Sequence, residues 1–141
     1  MKSVALRFGD AFAPPCGTIK AHERILKKKG YVWYGKIGLG ISPKGVKAML
    51  DSHKMLLIHS GKMDRYWLTV SEVSNKMPAQ GDYPDYYGDK TNHINTWIKV
   101  IGIEQAPGDI LSACRLVSNN RPLADVSKTS MSPFFIIECN L

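Results

Sequence analysis

Cysteine is scarce in this sequence, and long apolar runs are lacking. The three cysteines, Cys16, Cys114 and Cys139, are widely spaced and odd in number, which favours reduced thiols over a disulfide framework. The longest apolar runs, residues 55–58 and 134–137, are far shorter than the about 20 residues that a membrane helix needs. The first residues are interrupted by charge before an apolar core develops, so no export signal is expected. We therefore expect a cytoplasmic protein without a membrane partner.

Motifs that hold metals, phosphates or catalytic nucleophiles are also lacking. The sequence contains no C-x-x-C and no H-E-x-x-H, and its four histidines show no metal-site spacing. Glycines 35, 38 and 40 do not form a phosphate loop, because no Gly-Lys-Ser follows them. We expect no metal and no cofactor, and these observations favour a binding module over an enzyme.

Positive charge is abundant and unevenly distributed. The formal net charge is +7; residues 1–66 carry 13 Lys and Arg against 4 Asp and Glu, whereas residues 67–141 carry 6 against 8. This asymmetry predicts one positively charged surface, for which polyanions are natural partners. A basic face that only keeps the protein in solution is the alternative interpretation.

The pattern of apolar residues predicts six or seven strands and two or three short helices, arranged as a partly closed barrel. Ser42-Pro43 marks a helix start, and Gly30 marks a helix end. The predicted strands cover residues 4–8, 31–38, 54–59, 66–73, 96–104, 115–117 and 134–139, and the predicted helices cover residues 18–29, a short stretch after 43, and 107–113.

A long polar segment, residues 74–95, separates two predicted strands. Ordinary connections are about 4–6 residues long, so a segment of this length is either functional or disordered. Its three tyrosines, Tyr83, Tyr86 and Tyr87, favour an ordered, functional loop. Stacking on an aromatic ring stabilises a bound base by about 1–3 kcal/mol, so these rings, with those of the strands, predict a base-binding pocket.

Several segments, in order, resemble those of EVE domains, which are members of the PUA-like superfamily. They are Trp33-Tyr34-Gly35, the apolar strand 55–60 that ends in His-Ser, Tyr83-Pro84-Asp85, the strand 96–100, and Ser130 to Pro133. Ile37-Gly38 stands where the family carries Arg-Asn. The resemblance implies an α+β fold, a PUA-like partly closed mixed β-barrel of five to seven strands with two or three short helices, over a single domain 1–141. It also implies a reader of modified bases in DNA or RNA.

The residues themselves point to the same function. A flipped base loses its stacking, so a pocket must offer replacement stacking and hydrogen bonds. The predicted pocket residues are Trp33, Tyr34, Gly35, Ser60, Trp67, Asp85 and Tyr86. The predicted contacts to the nucleic-acid backbone are Lys27, Lys28, Lys29, Lys36, Lys44 and Lys47.

Two other functions stay open. An ASCH-like hydrolase or nuclease would need a polar cluster such as His59, Lys36 and Asp85. A small-ligand or protein-interaction domain would instead show an exposed apolar patch without basic surroundings. Domains of this kind are often fused to effectors, so an effector for this chain is expected as a separate protein.

Overall fold

The computed structural model describes residues 1–140, which form one seven-stranded mixed sheet. The strands are β1 (Lys2–Phe8), β2 (Val32–Ile37), β3 (Lys54–His59), β4 (Arg65–Ser74), β5 (Ile94–Gln105), β6 (Cys114–Leu116) and β7 (Phe134–Cys139). Their order is β2-β5-β4-β3-β1-β7-β6, so β2 and β6 are the edges and the sheet is not closed. The pairing of β1 with β3 is parallel, and the other pairings are antiparallel. The predicted α+β class is confirmed.

Three α-helices and two 3-10 segments accompany the sheet: α1 (Thr18–Lys29), α2 (Pro43–Ser52), α3 (Leu123–Thr129), and the 3-10 segments Asp85–His93 and Ile110–Ala113. The predicted signals at α1 and α2 are confirmed. Gly30 ends α1 in the left-handed conformation with φ of 83°, and the Ser42 side chain caps α2 by accepting a hydrogen bond from the Gly45 amide at 3.3 Å. No helix within residues 1–140 is long and apolar enough to cross a membrane.

Both faces of the sheet are covered, and each face has its own core. Along β1, Val4 and Leu6 lie in the cluster under α1 and α2, whereas Ala5 lies in the cluster under α3. This follows from the alternation of side chains along a strand. Strands with apolar residues on both faces therefore form the centre of the sheet.

The expectation of three reduced thiols is wrong for two of them. Cys114 and Cys139 face each other across the β6–β7 pair and form a disulfide, whereas Cys16 is free. Sequence spacing did not reveal the pairing, because strand register brought these residues together across 25 positions.

The outer edge of β2 is covered by residues 82–93, which positions the candidate site. The Trp33 amide donates to the Asp82 carbonyl at 2.8 Å, and the Gly35 amide donates to the Tyr87 hydroxyl at 3.1 Å. These bonds use backbone donors that an edge strand otherwise leaves unpaired. The long polar segment is therefore hydrogen-bonded to β2, and its function stays a prediction.

Candidate functional site

A pocket of about 490 Å³ lies where the N-terminus of α1, β2 and the 3-10 segment 85–93 meet. We call it the aromatic pocket. Loop 9–13 and residues 131–133 complete its wall. Its volume lies within the range of about 300–1,000 Å³ that is typical of small-molecule sites. Rings of Phe12, Tyr34 and Tyr86 line it.

Strand alternation decides which β2 side chains reach the aromatic pocket. Tyr34 and Lys36 share one face of the strand and line the pocket. Trp33 points to the other face, where it packs with Tyr83 and Trp97. The sequence indicates that Trp33 and Tyr34 point to opposite faces of the strand, but it does not indicate which of them faces the pocket.

Gly35 allows the 3-10 segment to approach β2 closely. A Cβ at this position would lie 2.6 Å from Ile94 Cδ1 and 3.0 Å from ring atoms of both Trp97 and Tyr87. Any side chain would therefore displace these groups. The close approach of the 3-10 segment to β2 holds Tyr87 against the strand and places its neighbour Tyr86 at the pocket wall.

A chain of hydrogen bonds behind the pocket has a defined direction. His22 Nδ1 lies 2.8 Å from the Thr18 carbonyl, which can only accept, so Nδ1 carries the proton. His22 Nε2 then accepts from the Tyr87 hydroxyl at 2.6 Å, and that hydroxyl accepts from the Gly35 amide. The chain joins β2, the 3-10 segment and the first turn of α1.

Burial favours the neutral forms of these groups. Burial lowers the pKa of His22 to about 4, and the Thr18 carbonyl opposes this only in part. Burial also raises the pKa values of the phenols of Tyr34, Tyr86 and Tyr87 above the ordinary value of 10.0. The three tyrosines are therefore uncharged hydroxyl groups at neutral pH.

The same residues form an aromatic cluster that supports the pocket wall. The ring centroid of His22 lies 5.2 Å from that of Tyr34, and Tyr86 meets Tyr87 edge-on at 5.0 Å. Sequence reasoning did not assign His22 or Tyr87 to the site. A signal existed for His22, which shares the apolar face of α1 with Ile25.

Three cationic residues line the aromatic pocket: Arg7, Lys36 and Lys90. The Arg7 side chain alternates with Leu6 and Phe8 and lies against Phe135, on the face of the sheet under α3. Among the described residues that line the pocket, none is an Asp, Glu or His. Lys36 was predicted as a backbone contact, whereas Arg7 and Lys90 were not singled out. The charge of this pocket is therefore of one sign.

The structure brings some of the predicted pocket residues together and separates others. The pocket is lined by Tyr34, Gly35, Ser60 and Tyr86. Trp67 is buried in the core under α3, on the opposite face of the sheet from Tyr34. Asp85 is exposed at the start of the 3-10 segment and does not line the pocket.

The lysines predicted to contact the nucleic-acid backbone lie in separate regions of the structure. Lys27, Lys28 and Lys29 lie at the C-terminal end of α1, about 15 Å along the helix axis from the pocket at Thr18. Lys29 is paired with Asp82 at 2.6 Å. On α2, Lys47 pairs with Asp51 at 2.7 Å.

Lys44, in contrast, lines a groove that adjoins the aromatic pocket. The groove has a volume of about 490 Å³ and also contains Arg121 and Asn119. It shares Ser132 with the pocket. The basic groove and the aromatic pocket thus share one wall residue.

The cluster required by the enzyme hypothesis is not assembled. His59 lines a different cavity of about 390 Å³, where its Nε2 lies 2.9 Å from Asp10 and its Nδ1 lies 3.5 Å from Asp64. Lys36 lines the aromatic pocket and Asp85 lines neither cavity. With both ring nitrogens facing carboxylates, His59 links loop 9–17 to the β3–β4 turn. Residues 1–140 contain no group of three or more His, Cys, Asp or Glu placed to hold a metal ion.

The mixed sheet with helices on both faces and a ligand-sized pocket at its edge defines an α+β protein with a candidate binding site. A family model described as Pua-like matches residues 4–131, and the chain belongs to this Pua-like family. The comparisons with curated proteins and with solved structures gave no match. Family membership indicates nucleic acid as the general class of partner. The narrower resemblance to EVE domains stays a prediction.

Proposed function

We propose that the chain binds nucleic acid and takes one flipped, modified base into the aromatic pocket. The observation that carries this proposal is that the aromatic pocket and a groove lined by Lys44 and Arg121 share Ser132. The rings of Tyr34 and Tyr86 offer replacement stacking to a base removed from its own stack. Ser60 and the Thr18 hydroxyl supply polar groups at the wall.

The groove supplies the contacts that the strand needs outside the pocket. Lys44 and Arg121 are exposed cations that can neutralise phosphates on one side of the flipped nucleotide. Lys27 and Lys28 are exposed at the far end of α1, and in this proposal they contact phosphates further along the strand. Phosphate contacts of this kind make binding fall steeply as salt rises.

Binding of short single-stranded DNA and RNA oligonucleotides tests the proposal. Each oligonucleotide carries a central cytosine that is unmodified or modified at C5, and fluorescence anisotropy is measured at several salt concentrations. We expect salt-dependent binding and a preference for at least one modified base. Tyr86→Ala should reduce that preference by about tenfold, since stacking contributes about 1–3 kcal/mol per base.

A matched variant controls for general effects of removing a tyrosine. Tyr31→Ala removes a half-buried ring that does not line the pocket, so it should leave base preference unchanged. If neither DNA nor RNA binds at low salt in any modification state, the proposed function is wrong. If binding occurs but Tyr86→Ala and Tyr31→Ala behave alike, the pocket is not the base site.

A further inference from the structure

The charge of the aromatic pocket restricts what it can accept. Arg7, Lys36 and Lys90 line it, and no acidic side chain of the described chain does. None of the three cations forms an ion pair with a carboxylate within residues 1–140. The charged residues of this pocket are therefore all positive, and no carboxylate in its wall balances them.

Two of the cations are partly engaged by neutral groups. The Arg7 guanidinium donates to the Ser130 carbonyl and lies 5.3 Å from the ring centroid of Phe135. Its buried Nε has no hydrogen-bond partner in the described part of the chain. The Lys90 ammonium lies 4.3 Å from the ring centroid of Phe12. These contacts orient the two side chains without neutralising their charge.

Lys36 is the most buried of the three cations. The residue is 8% exposed, and its ammonium group donates to the Leu39 carbonyl. Burial lowers its pKa from the ordinary value of 10.5. A buried ammonium group without an anion costs folding free energy, and a ligand that supplies an anion removes that cost.

We infer that the aromatic pocket selects a base that carries a carboxylate, and that the ammonium group of Lys36 recognises it. This inference rests on the proposed function. The phosphates of the strand remain outside when a base is flipped, so the anion that reaches a buried lysine must be attached to the base itself. A methyl group at the same position offers Lys36 no acceptor.

The test compares oligonucleotides that differ in one substituent at C5 of a central cytosine: hydrogen, methyl, carboxamide or carboxylate. The carboxamide has nearly the shape of the carboxylate but no charge. We expect the carboxylate to bind at least about tenfold more tightly than the methyl and carboxamide forms, because hydrogen bonds to charged groups contribute more than neutral ones. The preference should vanish in Lys36→Met and persist in part in Lys36→Arg.

Lys76→Met is the matched control, since it removes an exposed lysine that does not line the pocket and should keep the carboxylate preference. Lys36→Met should also melt at the same temperature as the wild type or higher, because it removes a buried charge. If Lys36→Met does not fold, the ratio of the wild-type affinities for the carboxylate and carboxamide oligonucleotides still tests the inference.

Competition with small molecules distinguishes a carboxylate on the base from a phosphate as the anion that the pocket binds. The 5-carboxycytidine nucleoside, which has no phosphate, should displace a bound oligonucleotide better than cytidine monophosphate does. The reverse order would assign the anion site to phosphate and overturn the inference. If oligonucleotides bind without a carboxylate preference, the inference is wrong while the proposed function stands; if none binds, both are wrong.

Discussion

At the scale of single residues, the hydroxyl group of Tyr87 connects three elements of the candidate site. It accepts from the Gly35 amide and donates to His22, whose other ring nitrogen donates to Thr18. These groups are buried, so none of them can exchange its partner for bulk water. The hydroxyl is thus a structural requirement of the pocket wall even though the ring of Tyr86, its neighbour, is the proposed base contact.

Tyr87→Phe should lower the free energy of unfolding by about 2 kcal/mol, because it leaves the Gly35 amide and His22 Nε2 without partners. Urea denaturation at neutral pH measures the change. Tyr31→Phe is the matched control: its hydroxyl donates to Asp82 at 3.3 Å, and because Asp82 keeps its ion pair with Lys29, the loss should cost about 0.5 kcal/mol. Equal effects of the two substitutions would contradict the assigned hydrogen-bond chain.

His22 should make stability depend on pH. In the unfolded chain its imidazole takes up a proton as the pH falls below 6.5, whereas the folded protein does so only near a pH of about 4. The unfolded state therefore binds more protons in this window, and stability falls as pH falls. The loss should reach roughly 3 kcal/mol by pH 4.

Chemical denaturation at a series of pH values tests the assignment to His22. His22→Gln should lose much less stability than the wild type between pH 6.5 and 4, whereas His53→Gln, which changes an exposed histidine, should behave like the wild type. Asp10 acts in a separate window: hydrogen bonding to the Thr18 amide lowers the pKa of its carboxyl group below 3.8, so its contribution is lost only at more acidic pH. A wild-type profile that is flat from pH 6.5 to 4 would contradict the neutral, buried state of His22.

At the scale of elements, the segment 82–93 acts as a cover for the edge strand β2. The cover depends on the close contact at Gly35. Gly35→Ala should destabilise the fold by about 1–3 kcal/mol, since the new Cβ overlaps Ile94 and the neighbouring rings. It should also weaken the preference for a modified base, because Tyr86 lies on the displaced segment.

Gly108→Ala provides the control for this substitution, as a Cβ at that position meets nothing within 4 Å. We expect its unfolding and its oligonucleotide binding to match those of the wild type. A Gly35→Ala variant with unchanged stability and unchanged binding would show that the 3-10 segment does not depend on this contact.

Elements with strong local signals could be predicted from the sequence, and the site could be predicted only in part. The Ser42-Pro43 cap and the Gly30 stop depend on neighbouring residues, so α2 and the end of α1 were predicted correctly. Helix α3 was not predicted, because seven residues with two buried apolar positions give little periodicity. Trp67 and Tyr34 carry equal aromatic signals in the sequence, yet the packing of helices on the two faces of the sheet places one in the core and the other at the pocket.

The disulfide between Cys114 and Cys139 also could not be predicted from local sequence patterns. Cys114 and Cys139 are adjacent only because β6 pairs with β7 in one register, and register is a property of the assembled sheet. Likewise, Lys36 and Lys90 come to one pocket from β2 and from the long polar segment. Contacts between distant segments decide the site, whereas local patterns decide the elements.

At the scale of the whole molecule, the net charge of +7 does not form one uniform face. Lys29 and Lys47 are paired with carboxylates, whereas Lys44 and Arg121 line the groove beside the pocket. Charges that are already paired release fewer counterions when nucleic acid binds. The groove should therefore contribute more to affinity than the number of lysines alone implies.

A double substitution of the groove cations, Lys44→Gln with Arg121→Gln, tests this division. Each phosphate contact in a single strand contributes about 0.7 to the slope of log affinity against log salt, so the double variant should reduce the slope by about 1.4. It should weaken binding to every oligonucleotide equally and leave the preference for a modified base intact, because phosphate contacts position the strand and do not read its bases. The matched double variant Lys62→Gln with Lys76→Gln removes two exposed lysines outside the groove and should change the slope far less. Equal slopes for the two double variants would mean that affinity follows total charge, and the groove beside the pocket would then have no special part in binding.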